Sequence, residues 1–344
     1  MRRIAVGTEK GGYLLTESNG TWIVDGPQFP GWKVSAFGET SDGQHLAAVG
    51  SNWFGIGIHI SPDWSQWSDL GAPPVWPEDS GRALEQVWAL HRDGSRLWAG
   101  VSQAGLFTSD DDGRTWAPVD GLNEHRTRAQ WQPGFGGLSA HRILTSGEQI
   151  WVGISAVGVF RSDDFGATWA PKNVGVPSVD TADDATAPEV GYCVHGLAQD
   201  PDDPMRIWRQ DHRGVFRTVD GGDSWQRIEN GLPAGFGFVI WRDRGSGRLL
   251  TVPLQSDENR VPVDGRLRAY ASDDDGESWA VAGDGWSDAP QFTGVLRGAF
   301  DGDDQGNFCF GTTGGKIWIT DDGARTWREL EAAFPRIYAL SLIQ

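Results

Sequence analysis

The sequence is short of the features that build helical bundles, membrane spans and covalent staples. Its 344 residues hold two cysteines, Cys193 and Cys309, too far apart to suggest a disulfide framework. Both lie in apolar strand-like runs and read as small core side chains. Methionine is equally scarce. No run approaches the roughly 20 apolar residues of a transmembrane helix. The opening MRRIAVGTEKGGYLL follows two arginines with only a brief apolar stretch, so it reads as neither leader nor anchor, and a cytoplasmic location is expected. Basic charge is in deficit. Lys plus Arg number 29 against 47 Asp plus Glu, a formal net charge of −18, which makes nucleic acids and anionic membranes poor partners and favours a soluble monomer.

Glycine (48 residues) and tryptophan (19) are plentiful instead. Long patterns at helical spacing are hard to find, and short apolar runs bounded by Gly, Asp and Pro recur throughout, which reads as all-β. One phrase returns: SDDDGRTW at 109–116, SDDFGATW at 162–169, TVDGGDSW at 218–225, SDDDGESW at 272–279 and TDDGARTW at 320–327. The closing tryptophans are 53, 56, 54 and 48 residues apart, and worn copies end at Trp67 and Trp22. That makes seven copies.

Each copy has the same setting. In the third, VWALHRD (87–93), RLWAGVS (96–102), GLFTSD (105–110) and TWAPVD (115–120) read as four short strands, with the octapeptide joining the last two. A four-stranded unit of this size cannot bury both faces alone; stacking such units radially can. The expectation is an all-β, seven-bladed propeller of four-stranded antiparallel blades, one domain spanning 1–344. The first copy shows only three strands, so the C-terminal RIYALSLI (336–343) is expected to complete its blade, close the ring and hide the free edges.

The octapeptide pattern, Ser/Thr-x-Asp-x-Gly-x-Thr/Ser-Trp, suits local structure. Gly at the fifth place permits a positive φ. The carboxylate and first hydroxyl can hold the turn's backbone groups, and the Trp can pack between units. A calcium loop would need a further acid at fixed spacing, and none recurs. These residues resemble the Asp-box, or BNR, repeat of sialidases, sortilin-type receptors and many bacterial single-propeller proteins. The seventh copy departs by placing Ala324 where Gly is usual. The resemblance implies a propeller, but it does not bring the sialidase machinery. The Phe/Tyr-Arg-Ile-Pro stretch expected before the first box is missing from residues 1–60, and the nearest lookalike, NRVP at 259–262, lies between the fifth and sixth boxes. Xyloglucan-cleaving relatives need a cleft between two propellers, and this chain has one.

Function is therefore sought where one copy departs from the rest. Between the second and third strands the third and fourth copies read VSQAG and ISAVG, whereas the fifth reads QDHRG, with Asp211, His212 and Arg213, and the sixth carries QSDENRVPVDGR, with Asp257, Glu258 and Arg260. Long loops at 70–86, 119–138 and 173–191 share that face and add Trp76, Glu78, Asp79, Arg82, His125, Arg126, Arg128, Trp131 and Glu189. Aligning the innermost strands puts Ser35, Trp88, His141, His195, Phe238, Arg297 and Tyr338 at the mouth of a central channel. Asp257 and His212 are the acid/base candidates. His141, His195, Arg213, Arg260, Arg297, Tyr338 and Trp88 are the candidate contacts to a small or glycan ligand, anionic in character. Glycoside cleavage would pair Asp257 or Glu258 with Glu189 or Asp79. No metal or cofactor is expected: the histidines 125, 141, 195 and 212 show no HxH or HxxxH spacing. Two functions remain open, a sialidase- or glycosidase-like hydrolase and a non-catalytic propeller that binds a ligand or protein.

Overall fold

The computed structural model describes residues 2–51, 53, 55–178 and 188–343. Among these the only helical pieces are a single turn at Asp120–Asn123 and three short 3-10 segments. The strands between the turns and loops pair antiparallel, save for one parallel pairing. Five four-stranded sheets begin at Lys33–Glu39, Val87–Asp93, Ser139–Ser146, Val194–Gln199 and Trp241–Arg242, each a run of four consecutive strands. An eight-stranded sheet unites the strands from Val295–Gly302 to Arg328–Glu329 with the N-terminal Arg3–Thr8, Gly11–Ser18 and Thr21–Gln28.

The C-terminal strand Ile337–Ile343 is the link between those two halves. It pairs antiparallel with Arg3–Thr8, Ile4 facing Leu342 and Val6 facing Leu340. On its other side it meets Val295–Gly302 through one parallel bridge, Gly298 to Ala339. Ile337, Ala339, Leu340 and Ile343 are buried, while Leu342 is half-buried.

In each octapeptide the aspartate closes the turn. Asp111 accepts hydrogen bonds from the Ser109 hydroxyl (2.7 Å), the Thr115 amide (2.8 Å) and the Thr115 hydroxyl (2.6 Å). Asp164, Asp220 and Asp274 repeat that set. The worn copy ending at Trp67 keeps its core, Asp63 capping the amides of Ser65 and Gln66. The fourth place, as well as the fifth, lies in the left-handed region: Asp112 has φ 57°, Phe165 55° and Asp275 60°, followed by Gly113 at 88°, Gly166 at 91° and Gly276 at 93°.

The tryptophans join neighbouring sheets. Trp225 donates its indole N–H to the Lys172 carbonyl, and Trp279 to that of Ile228, each in the preceding sheet. Trp151 and Trp208, on second strands, reach forward to the turn carbonyls of Gly221 and Asp275. These four indoles thus bury apolar area and satisfy their donor across the seam.

Candidate functional site

The innermost strands break register at one end, and the break shapes the site. Pairing skips from Val34 to Ala36, Val87 to Ala89, Ala140 to Arg142 and Val194 to Gly196, and along the C-terminal strand from Ile337 to Ala339. The residues left out are Ser35, Trp88, His141, His195 and Tyr338. A wider irregularity between Val295 and Phe300 contains Arg297. A β-bulge removes a side chain from the two-face alternation and re-aims it. Here the extra residues line two adjoining cavities: Ser35, Trp88, His141, Arg297 and Tyr338 the first, of about 330 Å³; His195, Phe238 and Arg297 the second, of about 510 Å³.

The bulged side chains also tie the sheets together. Ser35 donates to the Val87 carbonyl (2.8 Å), His141 Nε2 to that of Val194 (2.8 Å) and His195 Nδ1 to that of Gly237 (2.7 Å). Each acceptor precedes the corresponding mouth residue of the next sheet. Burial, reinforced by the Arg297 charge, holds both imidazoles well below the usual histidine range, so they are neutral.

Arg297 stands where the cavities meet. Its Nη2 donates to Ser155 Oγ (3.0 Å), and its guanidinium lies 4.9 Å from the Phe238 ring centre. Its Nε is buried without a partner, and no carboxylate of the described residues comes within 4.0 Å. Burial pulls its pKa down to about 10, which leaves it charged at neutral pH. Arg260 approaches the same ring at 5.6 Å and is held by Asp257, Nε to Oδ1 at 3.0 Å and Nη2 to Oδ1 at 2.5 Å. Asp257, Glu258 and His212 complete this wall of the second cavity, and Phe135, 97 % exposed between glycines, stands at its rim.

Other sequence-picked residues fall elsewhere. Arg213 is exposed at the tip of its hairpin and lines neither cavity. Asp211 is fully buried in an ion pair with Arg209 (2.5 Å), and its Oδ1 accepts the Arg213 amide (3.0 Å), so it braces the hairpin from below. The long loops are largely self-stapled. Trp76 is buried beneath the guanidiniums of Arg82 (4.9 Å) and Arg128 (5.7 Å). Arg82 pairs with Glu124 and Arg126 with Glu189, while buried His125 packs on Phe160 (5.0 Å). Neither Glu189 nor Asp79 lines the second cavity, so the expected carboxylate pair for glycoside cleavage is not assembled there. Part of the loop 173–191 lies outside the described residues.

Cys193 departs from expectation too. Cys309 is buried in the core as read from sequence, but Cys193 faces the second cavity beside His195 and His212. The usable signal was the Cys-x-His spacing at the end of an innermost strand, set against the one-off histidine of QDHRG.

Antiparallel four-stranded sheets joined by inter-sheet indoles, with polar mouth residues on the innermost strands, define a β-propeller. Solved propellers match throughout. The chain is similar to YCF48 bound to D1 peptide (14 % identity, 84 % of this chain and 77 % of that one, TM-score 0.53). It is also similar to the WD40 propeller domain of Doa1 (12 %, 94 % and 91 %, 0.56) and to an ancestral GH74 enzyme, of which it matches only 37 % (13 % identity, 89 % of this chain, 0.52). At these identities the likeness is one of fold alone. No family model matches the chain, and no curated protein matches it either. Among the described residues no helix is long and apolar enough to cross a membrane.

Proposed function

We propose that this propeller receives a small ligand bearing a carboxylate in the paired cavities at the bulged ends of its innermost strands. The carrying observation is Arg297. A guanidinium surrounded by protein, braced by one serine and one aromatic ring, with a buried Nε lacking any partner, is complementary to a planar anion that accepts two parallel hydrogen bonds. Trp88, Tyr338, His141 and Arg260 would shape the surrounding surface.

In this reading the eight-stranded sheet is two blades joined at the parallel bridge, the ring has seven blades in one domain, and the octapeptides are Asp boxes acting as scaffold. A hydrolase acting on an acidic glycan remains the finer form of the proposal, with His212 and Asp257 as the proton-transfer pair. The engagement of Asp257 by Arg260 gives it an orienting role as well. The second form is a recognition propeller. Phe135 at the rim favours it, since a bare ring beside the cavity that holds the Arg297 guanidinium suits a short peptide ending in a carboxylate, and the similar YCF48 was solved with a peptide.

The test is a calorimetric or thermal-shift screen of uronic and sialic acids, small dicarboxylates and short peptides with free or amidated C-termini. Arg297→Met should weaken any hit by about 10-fold or more, the scale of a lost charge-assisted contact, with the fold unchanged. Equal affinity in Arg297→Met would overturn the site. Turnover abolished in His212→Ala while binding persists would establish the hydrolase form.

A further inference from the structure

We infer that Cys193, His195 and His212 form a three-ligand site for a divalent metal of the zinc type, open on its fourth side to the second cavity. One potential ligand atom from each residue, the thiol sulfur and a ring nitrogen of each histidine, lies within 4.8 Å of the others. Around tetrahedral zinc, with Zn–S near 2.3 Å and Zn–N near 2.0–2.1 Å, such atoms would stand about 3.3–3.6 Å apart. Contraction by about 1 Å is within reach of small side-chain rotations.

Three features favour ligation over chance proximity. First, His195 is already set as a metal ligand. Its Nδ1–H is given to the Gly237 carbonyl at 2.7 Å, which fixes the tautomer and leaves the Nε2 lone pair available. Second, the cluster stands on rigid backbone. The His212 amide donates to the Cys193 carbonyl at 2.9 Å, locking hairpin to strand, and the buried Arg209–Asp211 pair lies under the turn. Third, Phe236 and Phe238 wall it, their ring centres 5.3 and 4.6 Å from that of His195. A thiolate with two neutral imidazoles and one open position is a donor set suited to zinc, with room for water or an incoming ligand oxygen.

The charges around the cluster are mixed. Arg297 and Arg260 oppose a bare dication, Asp257 and Glu258 attract it, and all four line the same cavity. Binding forms a sulfur–metal bond and releases the thiol proton to solvent, and the thiolate so created offsets one of the two metal charges. A carboxylate gripped by Arg297 would offset more, coupling metal and ligand occupancy.

With His212 engaged as a ligand, the hydrolase form would have to use Asp257 alone for proton transfer; the inference does not depend on the identity of the organic ligand, and its test contains none. Full-length protein, stripped with chelator under reducing conditions, is titrated with Zn²⁺ against a chromophoric competitor and with Co²⁺ as a spectroscopic probe. One equivalent should bind, and Co²⁺ should give a thiolate-to-metal charge-transfer band together with the visible bands of tetrahedral cobalt. Cys193→Ser should remove the charge-transfer band. His212→Gln, at a surface hairpin where folding is secure, should weaken binding by about 10–100-fold or more, a change at least as large as that from losing an outer-shell partner. His59→Gln, on a different sheet, should change nothing. Arg297→Met should keep the cobalt spectrum even where it loses carboxylate binding, which separates failure of the carboxylate pocket from failure of the metal site. Absence of stoichiometric binding, or wild-type spectra and affinity in Cys193→Ser and His212→Gln, would overturn the inference.

Discussion

Asp110 and Asp111 are neighbours in one octapeptide, yet their removal should have very different consequences. Asp111→Ala deletes three hydrogen bonds, two from Thr115 and one from the Ser109 hydroxyl. A typical bond contributes about 1 kcal/mol net, and water can reach the exposed Thr115 groups. The sum is about 2 kcal/mol. With an unfolding entropy near 2.1 cal/mol/K per residue, a cooperative chain of this length has a slope of about 0.7 kcal/mol/K, so Tm should fall by about 3 °C. Asp110, 68 % exposed, only pairs with Arg96 across the surface. Asp110→Ala should cost about 0–1 kcal/mol, which is at most about 1.5 °C on the same slope. Differential scanning calorimetry of both variants and of Asp111→Asn, which keeps an acceptor, reads the contrast. Equal losses at the two positions would refute the local account of the turn. So would a loss of ligand affinity in correctly folded Asp111→Ala.

Deleting residues 335–344 should give insoluble or unfolded protein, because it bares the edges of Arg3–Thr8 and Val295–Gly302 together; soluble truncated protein with an unchanged Tm would show that the C-terminal strand is dispensable. Burial raises the Asp301 carboxyl to about 6, against relief from the Leu342 amide (2.7 Å). The folded state therefore takes up a proton more readily than the unfolded chain, and this group's contribution improves as pH falls through about 6 and is lost as pH rises above it. Asp301→Asn should be more stable than wild type at pH 7.5, and that advantage should shrink from about pH 6 and be lost by about pH 4, the usual range of a free carboxyl. Buried neutral His141 and His195 act in the opposite sense below pH 6.5 in both proteins, so the difference in Tm is the readout; a constant difference across that range would refute the assignment.

The sequence spoke most clearly where structure repeats. Period, turn chemistry and strand order follow from local residue types, and these recur often enough to check one another. The alignment of innermost strands also placed Ser35, Trp88, His141, His195, Phe238, Arg297 and Tyr338 on the cavities, because one register governs each copy. The loops were opaque for the opposite reason. Whether Trp76 is a platform or a plug depends on Arg82 and Arg128 lying across it, and nothing local sets that contact. Arg213 and Asp211 flank the same His212, yet one is exposed and the other sealed around Arg209. Cys193 reads as core in the sequence because its neighbours are apolar. The bulge one residue on, which brings His195 beside it, is invisible in composition.

That bulge has a consequence for how such a protein changes over time. A residue in a regular strand answers to its neighbours on one sheet face, so its size and polarity are fixed by packing. The extra residue of a bulge answers to no face. Around this mouth the positions hold serine, tryptophan, histidine, arginine and tyrosine on strands of similar build. At Trp88 and Tyr338 new side chains could be exchanged one at a time while the sheets behind them stayed as they are, whereas Ser35, His141 and His195 also hold the backbone of the next sheet. The mouth is a set of heads on a common handle, and redesign of the surface this propeller presents there should begin with those two positions.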